Sequence, residues 1–510
     1  MKIDARNFKK TKIVATIGPA SEEKIEQLLN SGVNAVRLNF SHNTHAWHGN
    51  MIGLTRKTAQ KLNRSVAVIA DLQGPKIRLG NLPKGGVELK SGQKITLEYG
   101  REYDENVLPI QFDFSARVKK GDRILLRDGM VTTVVVSVRP KSIQVEVNNS
   151  GKVGSKHGIN LPDTVFDSHS VLTKKDREDV EFIAKQDVDY VALSFVQTAA
   201  DIIYLRKILK ELGSEARIIA KIETRVATEN LEEIIAVSDV VMIARGDLAT
   251  ETSNEDVPLI GREIVQLSRT YKRPVIMATQ MLESMINSPQ PTRAEVNDIA
   301  TAVNIGVSCV MLSGETATGL YPVEVIQLMK RVILKSEAYF DKYRMEIDLI
   351  PQHPVNESFF DVQEIEEVGT IKRIMTRTQK IHTKNSPGKL SNQAVQTSVS
   401  LAATTLAEQV GAKMLLAETL TGSTALSLAS LRPPMPILIA SPNKRVCNQM
   451  AIVWGGKPFL VARKEDVSSS VINQLKKRGH VQSGDWIVRA FAKKHGVSGG
   501  TDTIRLIEVE

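Results

Sequence analysis

Four apolar runs in the middle of the chain, ARIIAKIE, VVMIARGD, PVIMATQ and CVMLSGET, each end in a polar cluster and lead into a stretch with helical spacing. Short runs rich in Val, Ile and Met, separated by helices, are the pattern of parallel strands buried on both faces. The same unit occurs earlier as KIVATIG (12–18), AVRLNFS (35–41), VAVIADL (66–72) and DYVALSF (189–195). Eight strand–helix units close a (β/α)8 TIM barrel, whose active site is assembled at the C-terminal strand ends. Lys221, Glu223, Asp247, Thr279, Ser313 and Glu315 all fall at such ends.

The rhythm breaks once. Residues 75–165 alternate and are turn-rich, as in GVELKSGQKITLEYG and GDRILLRDGMVTTVVVSV, which reads as a small β-barrel lid domain inserted after strand three. The barrel then takes residues 1–74 and 166–349. Residues 350–390 form a polar connection, and 391–510 return to alternating helices and strands, a C-terminal α/β domain of doubly wound type. Within the barrel, the first helix is expected to run from an N-cap at Ser21 to Gly32.

A chain of 510 residues needs more than one core. Its two cysteines, Cys309 and Cys447, sit far apart beside apolar segments and read as reduced, buried thiols. The charged N-terminus lacks the apolar core of a signal peptide, and no run is long enough to span a bilayer, so a cytoplasmic protein is expected. The formal net charge of +10 suits anionic small molecules. The basic residues Lys372, Arg373, Arg377, Lys380, Lys384 and Lys389 read as a solvated surface. Neither a nucleic acid nor a membrane is expected as a partner.

Side chains alternate faces along a strand, so Lys221 and Glu223 point the same way, as do Arg37, Asn39 and Ser41. Adjacent strands lie about 4.8 Å apart. Glu223 and Asp247 could therefore share a divalent cation, and two carboxylates with open positions suit magnesium. A salt bridge from Lys221 to one of them is the alternative, and spacing leaves both open. Arg37 fits phosphate recognition. Strand three ends Asp71-Leu72-Gln73-Gly74-Pro75-Lys76-Ile77-Arg78, bringing more charge to the same mouth. The start of ARGDLATET could hold a carboxylate or phosphate on its free N–H groups. Thr292 and Glu295 form a capping box, a structural feature. Together these residues describe a cationic, magnesium-bearing pocket for a phosphorylated carboxylate.

TKIVATIGPAS, VRLNFSH, DLQGPKIR, KIE, ARGDL, ATQMLESM, PTRAE and MLSGETATGLYP, in this order, resemble the pyruvate kinase family over nearly the whole chain. The resemblance implies transfer of the phosphoryl group of phosphoenolpyruvate to ADP, giving pyruvate and ATP. It places Mg2+ (or Mn2+) on Glu223 and Asp247, and sets Lys221 against the migrating phosphoryl group and the enolate oxygen. Arg37 would grip the phosphate, and Gly246, Asp247 and Thr279 would hold the substrate carboxylate. Water near Thr279 and Ser313 would deliver the proton. Pro19, Asn39, His42, Trp47 and Arg78 match nucleotide contacts. A homotetramer and a phosphorylated allosteric effector are further expectations. The effector would lie on Thr419, Thr421, Gly422, Ser423 and Thr424, a hydroxyl-rich loop that on sequence alone reads equally as an ordinary helix cap.

Departures from the family pattern carry information. Members that need potassium hold it with side chains matching Asn39, Ser41 and Asp71 and a carbonyl matching Leu72, and they carry glutamate where this chain has Lys76. An ammonium group at that point can replace the ion's charge, which predicts activity without potassium. Ala249 stands where the family has glycine, and Arg127 where an acidic residue is common. Two other classes compete: a carbon–carbon lyase using Lys221 as a Schiff base, and a catalytically silent metabolite sensor or RNA binder.

Overall fold

The computed structural model describes residues 8–127, 129–164, 171–342, 392–462, 467–477, 479–492 and 500–510. The polar connection and the basic residues at 372–389 lie outside these.

Eight parallel strands form a closed barrel: β1 (Lys12–Thr16), β2 (Ala35–Asn39), β3 (Ala67–Asp71), β13 (Tyr190–Leu193), β14 (Arg217–Ile222), β15 (Val240–Ala244), β16 (Val275–Ala278) and β17 (Cys309–Leu312). Their order around the barrel is β1-β17-β16-β15-β14-β13-β3-β2. The strands alternate with α1 (Ile25–Ser31), α2 (His45–Lys61), α3 (Lys174–Ala184), α4 (Ala199–Glu211), α5 (Arg225–Glu229), α6 (Leu231–Val237), α7 (Arg245–Glu251), α8 (Val257–Thr270), α9 (Arg293–Ile305), α10 (Gly314–Ala317) and α11 (Pro322–Lys342). Inward residues such as Val14, Ile69, Tyr190, Ile219, Met242 and Met311 fill the barrel interior. Outward residues of the same strands, such as Ile13, Val36 and Ile218, pack under the helices. Each fully buried aliphatic side chain contributes about 1.5–3 kcal/mol, which is why every position of β1 and β3 is apolar or pinned by a hydrogen bond.

Ser21 departs from its expected role. Its hydroxyl accepts from the Gly18 N–H, and a short 3-10 turn at Glu22–Lys24 precedes the helix proper. The helix ends as expected at Gly32. The capping box of Thr292 and Glu295 is present at the start of α9.

Among the described residues between β3 and α3 stand nine short strands: β4 (Ile77–Arg78), β5 (Val87–Leu89), β6 (Lys94–Tyr99), β7 (Val107–Ile110), β8 (Arg123–Leu126), β9 (Val131–Arg139), β10 (Ser142–Val147), β11 (Gly151–Val153) and β12 (Gly158–Asn160). They enclose their own core around Leu79, Leu97, Phe114 and Ile124. The C-terminal sheet comprises β18 (Met414–Glu418), β19 (Ile437–Ser441), β20 (Gly456–Leu460), β21 (Trp486–Phe491) and β22 (Thr503–Glu508). Its order is β20-β19-β18-β21-β22, doubly wound with an antiparallel edge strand β22.

The C-terminal domain also closes the floor of the barrel. Ala451 and Ile452 pack among the inward barrel residues. The Tyr190 hydroxyl donates to the Gln449 carbonyl at 2.7 Å, and the Cys309 thiol to the Ile452 carbonyl at 3.2 Å. Both cysteines are free and buried, and burial pushes their thiols up to about 12 for Cys309 and about 11 for Cys447.

The barrel seam between β1 and β17 is close-packed. The Thr316 hydroxyl donates to the Thr16 carbonyl at 2.8 Å, and the Ala20 N–H to the Ala317 carbonyl at 3.0 Å. A methyl at Gly18 would lie 2.6 Å from that Ala317 carbonyl oxygen, a backbone atom with little freedom to yield. Gly18→Ala is expected to destabilise the protein by about 1–3 kcal/mol. An unchanged midpoint in urea denaturation would show that the seam is slack.

Candidate active site

Charged groups from four strand ends meet at the C-terminal mouth of the barrel. Asp71 is buried at the end of β3. Its Oδ2 accepts from Arg37 Nε at 2.6 Å, and its Oδ1 lies 3.4 Å from Lys221 Nζ. Arg37 also donates to the Thr16 hydroxyl at 3.0 Å. Lys221 Nζ donates to Ser194 Oγ at 2.6 Å and lies 3.2 Å from Glu223 Oε2. The Ser194 hydroxyl in turn donates to the Leu72 carbonyl at 2.8 Å. Burial alone would lower the Lys221 ammonium, but the charges of Asp71 and Glu223 outweigh it and hold the group above its usual range. Burial likewise opposes the Asp71 carboxylate, and Lys221 and Arg37 overcome it.

The salt bridge posed as an alternative to a shared cation is therefore present, yet it does not exhaust Glu223. Its Oε1 accepts from the Phe195 N–H at 2.8 Å, while buried Oε2 faces the Lys221 ammonium at 3.2 Å but accepts no hydrogen bond. Burial pushes this carboxyl up to about 7, with Lys221 opposing and the charge of Asp247 adding. A divalent cation between Glu223 and Asp247 would satisfy the orphan oxygen and relieve the repulsion, so the donor set fits magnesium or manganese. Among the described residues no group of three or more His, Cys, Asp or Glu side chains is arranged to hold a metal ion.

Two turns at the mouth carry backbone strain. Thr279 (φ 64°) and Gln280 (φ 54°) adopt the left-handed region consecutively, as does Phe195 (φ 56°) after β13. Such conformations cost of order 1–3 kcal/mol each and persist where the surroundings over-determine them. At Thr279 the surroundings are Arg245, which donates to the Thr279 carbonyl at 2.6 Å and the Gln280 carbonyl at 3.0 Å. A further nitrogen of Arg245 binds Asp298 at 2.6 Å. The turn aims the Thr279 hydroxyl at α7, where it accepts from the Gly246 N–H at 2.9 Å. Buried Glu315 joins the next two loops, accepting from the Leu282 N–H at 3.1 Å and the Ser313 N–H at 2.7 Å.

The residues matched to nucleotide contacts lie to one side. Pro19 and His42 are exposed in the turns after β1 and β2. Trp47 is half-buried on α2, its indole N–H donating to Glu22 at 2.7 Å. Arg78 stands on the lid strand β4 and donates to the lid's own Lys156 carbonyl at 3.1 Å. The Asn39 side-chain oxygen accepts from the Ser41 N–H at 3.0 Å.

Spacing alone did not reveal several contributors: Thr16, Ser194, Phe195 and Arg245, and the pairing of Asp71 with both cations. Ser194, next to last in the run DYVALSF, directly follows the strand Tyr190–Leu193, so the strand-end rule that picked out Lys221 and Thr279 reaches it too. Arg245 and Phe195 act through backbone carbonyl and N–H contacts that leave no signature in residue type.

In the C-terminal domain, the loop after β18 engages its hydroxyls within the domain. Thr419 accepts from the Gly422 N–H at 2.8 Å, and buried Thr424 bonds Thr501 at 2.7 Å. Exposed Thr421 donates to the half-buried Ser423 hydroxyl at 3.4 Å, which also accepts from Gln396 at 3.3 Å, and Arg217, at the start of β14, donates to the Thr421 carbonyl.

Comparison with known proteins gives a consistent picture. Residues 8–326 match the profile of the pyruvate kinase barrel domain, and residues 397–507 that of the pyruvate kinase alpha/beta domain. The chain is 34% identical to a pyruvate kinase of Clostridium acetobutylicum, covering 99% of this chain and 100% of the relative. It is 36% identical to a pyruvate kinase of Agrobacterium vitis (99% and 98% covered) and 36% identical to pyruvate kinase 2 of Synechocystis (98% and 79%).

Removing Asp71 takes the carboxylate from Arg37 and leaves Lys221 with Glu223 alone. Asp71→Ala is expected to cost about 3 kcal/mol, the scale for breaking a buried pair from one side. A urea midpoint equal to that of the unmodified protein would mean the cluster is held by other contacts.

Proposed function

Because this chain belongs to the pyruvate kinase family, we propose that the mouth cluster transfers the phosphoryl group of phosphoenolpyruvate to ADP without help from potassium. The observation that carries this reading is the Lys221 ammonium, held charged by Asp71 and Glu223 beside Arg37. A group so held is a poor amine nucleophile, which disfavours the Schiff-base lyase.

In this reading Arg37 binds the phosphate as a planar fork, and Lys221 neutralises charge on the phosphoryl oxygens and then on the enolate oxygen. The α7 start at Gly246 and Asp247, with Thr279, receives the substrate carboxylate. The phosphorus–oxygen bond to the enol breaks as one to the terminal oxygen of ADP forms, and the enolate carbon takes a proton from water near Thr279 and Ser313. Magnesium or manganese, held by Glu223 and Asp247, would supply divalent charge against the phosphate oxygens. Pro19, Asn39, His42, Trp47 and Arg78 would receive the nucleotide, with the lid excluding bulk water.

At the positions matched to a potassium site, Asp71 is paired with Arg37 and Lys221, the Leu72 carbonyl accepts from Ser194, and the Asn39 oxygen accepts from the Ser41 N–H, so the reading of independence from potassium rests on Lys76. Lys76 follows the Gly74–Pro75 turn into the lid, where its ammonium would add the charge the ion brings elsewhere. We further assign the Thr419–Thr424 loop to a phosphorylated effector, taken by Thr421 and Ser423, in a cytoplasmic homotetramer.

Steady-state pyruvate formation should proceed at rates within about twofold with and without potassium, and Lys221→Met should lower kcat by about a hundredfold or more. A tenfold rise on adding potassium would discard the role given to Lys76. Absence of turnover under either condition would discard the reading itself in favour of a sensor. Ser423→Asp, which sets a like charge where the effector's phosphate would bind, should abolish activation by phosphorylated sugars and nucleotides. Activation that persists in this variant would make the loop an ordinary cap.

A further inference from the structure

We infer that Glu251 is a positioning residue that mechanically couples the lid to the two segments carrying Glu223 and Asp247, an inference that rests on the metal-pair reading above. Glu251 is the last residue of α7 and is 5% exposed. Its Oε1 accepts from Asn160 Nδ2 at 2.9 Å, and Asn160 is the buried last residue of β12, where the lid returns to the barrel. The backbone N–H of Arg225 faces the same carboxylate and favours its charged form, and Thr224, the residue after Glu223, lines the same cavity as Glu251. Arg225 opens α5 two residues beyond Glu223. One buried carboxylate thus touches the lid exit, the turn that follows Glu223 and the helix that bears Asp247.

The geometry makes the coupling stiff. Asp247 and Glu251 are one helical turn apart on the same face, about 6 Å along the axis. Since α7 has only seven residues, a pull on Glu251 shifts the whole helix rather than bending it. The lid also approaches α7 at its tip, where Gly129 faces the Thr250 side chain. The exit segment also meets the barrel through Arg225, which donates to the Pro162 carbonyl at 3.1 Å and lies 4.0 Å from Asp163, and through Gln197, which donates to the Thr164 carbonyl at 3.3 Å, while Asp163 is held to the lid by Arg123 at 2.8 Å.

Space for movement lies alongside. A cavity of about 30 Å³ is lined by Pro75 and Ile77 of the lid entry, Asn160 and Leu161 of the exit, and Phe195 and Glu251 of the barrel. Both lid stems therefore border a small void beside the Asn160–Glu251 bond, and Phe195 on its far side holds Glu223 by its N–H. Rotation of the lid about this point would be felt at both carboxylates of the pair.

The test separates coupling from simple anchoring. Asn160→Ala and Glu251→Gln should each lower kcat/KM for phosphoenolpyruvate about tenfold and raise the magnesium concentration for half-maximal rate several-fold. In the substrate-free protein, amides at 157–164 and 246–252 should exchange hydrogen faster, while those of β18 and β19 stay unchanged. The double variant Asn160→Asp/Glu251→Gln reverses donor and acceptor, leaves an oxygen for the Arg225 N–H, and should restore both readouts. If the single variants exchange normally, or if the double variant is as impaired as the singles, Glu251 does not couple the lid to the pair. Kinetic constants within twofold of the unmodified protein, despite faster exchange, would also overturn the inference by reducing the contact to an anchor. If the unmodified protein shows no turnover, the phosphotransfer reading fails by itself. The exchange data then decide the coupling: faster exchange restored by the double variant upholds it, and unchanged exchange overturns it.

Discussion

Asp71 sits between Arg37 and Lys221 with almost no contact with solvent, and the arrangement of the barrel mouth follows from that sandwich. A buried carboxylate is tolerable only when paired, and two cations at strand ends are tolerable only around such a carboxylate. Counting Glu223 and Asp247, three carboxylates face two cations. The imbalance is what a divalent cation accompanied by an anionic substrate would correct. Within the cluster, Asp71 and Glu223 keep Lys221 protonated.

Around that centre the backbone is held in conformations it would not choose. A β-branched residue at positive φ, followed by a glutamine also at positive φ, survives because the Arg245 guanidinium ties their carbonyls to α9 through Asp298. The strain at Phe195 is held by Glu223 in the same manner. Stability elsewhere in the barrel, where apolar residues are buried on both faces of every strand, supports these turns.

The architecture was legible because burial on both faces leaves long apolar runs, and the strand-end rule then located Lys221, Glu223, Asp247 and Thr279 from position alone. The inserted strands were legible by the switch from helical spacing to alternation. Pairing was not. Asp71 and Lys221 are 150 residues apart, and nothing in either neighbourhood ranks one as the partner of the other. Nor did residue type announce the left-handed turn at Thr279, since threonine rarely adopts it. Ser21 was misread for a related reason: a serine before a helix can satisfy the preceding turn as readily as the helix, and here Gly18 takes it.

The sealing of the barrel floor by residues 449–452 has a thermodynamic consequence. Ile452 and Ala451 fill the end of a tube that eight strands alone would leave open, and Tyr190 spends its hydroxyl on the Gln449 carbonyl. A barrel without this plug would hold an apolar well facing water and an unsatisfied phenol at its base. The two domains therefore share buried surface at the barrel floor, and parting them would expose that surface and the Tyr190 hydroxyl to water.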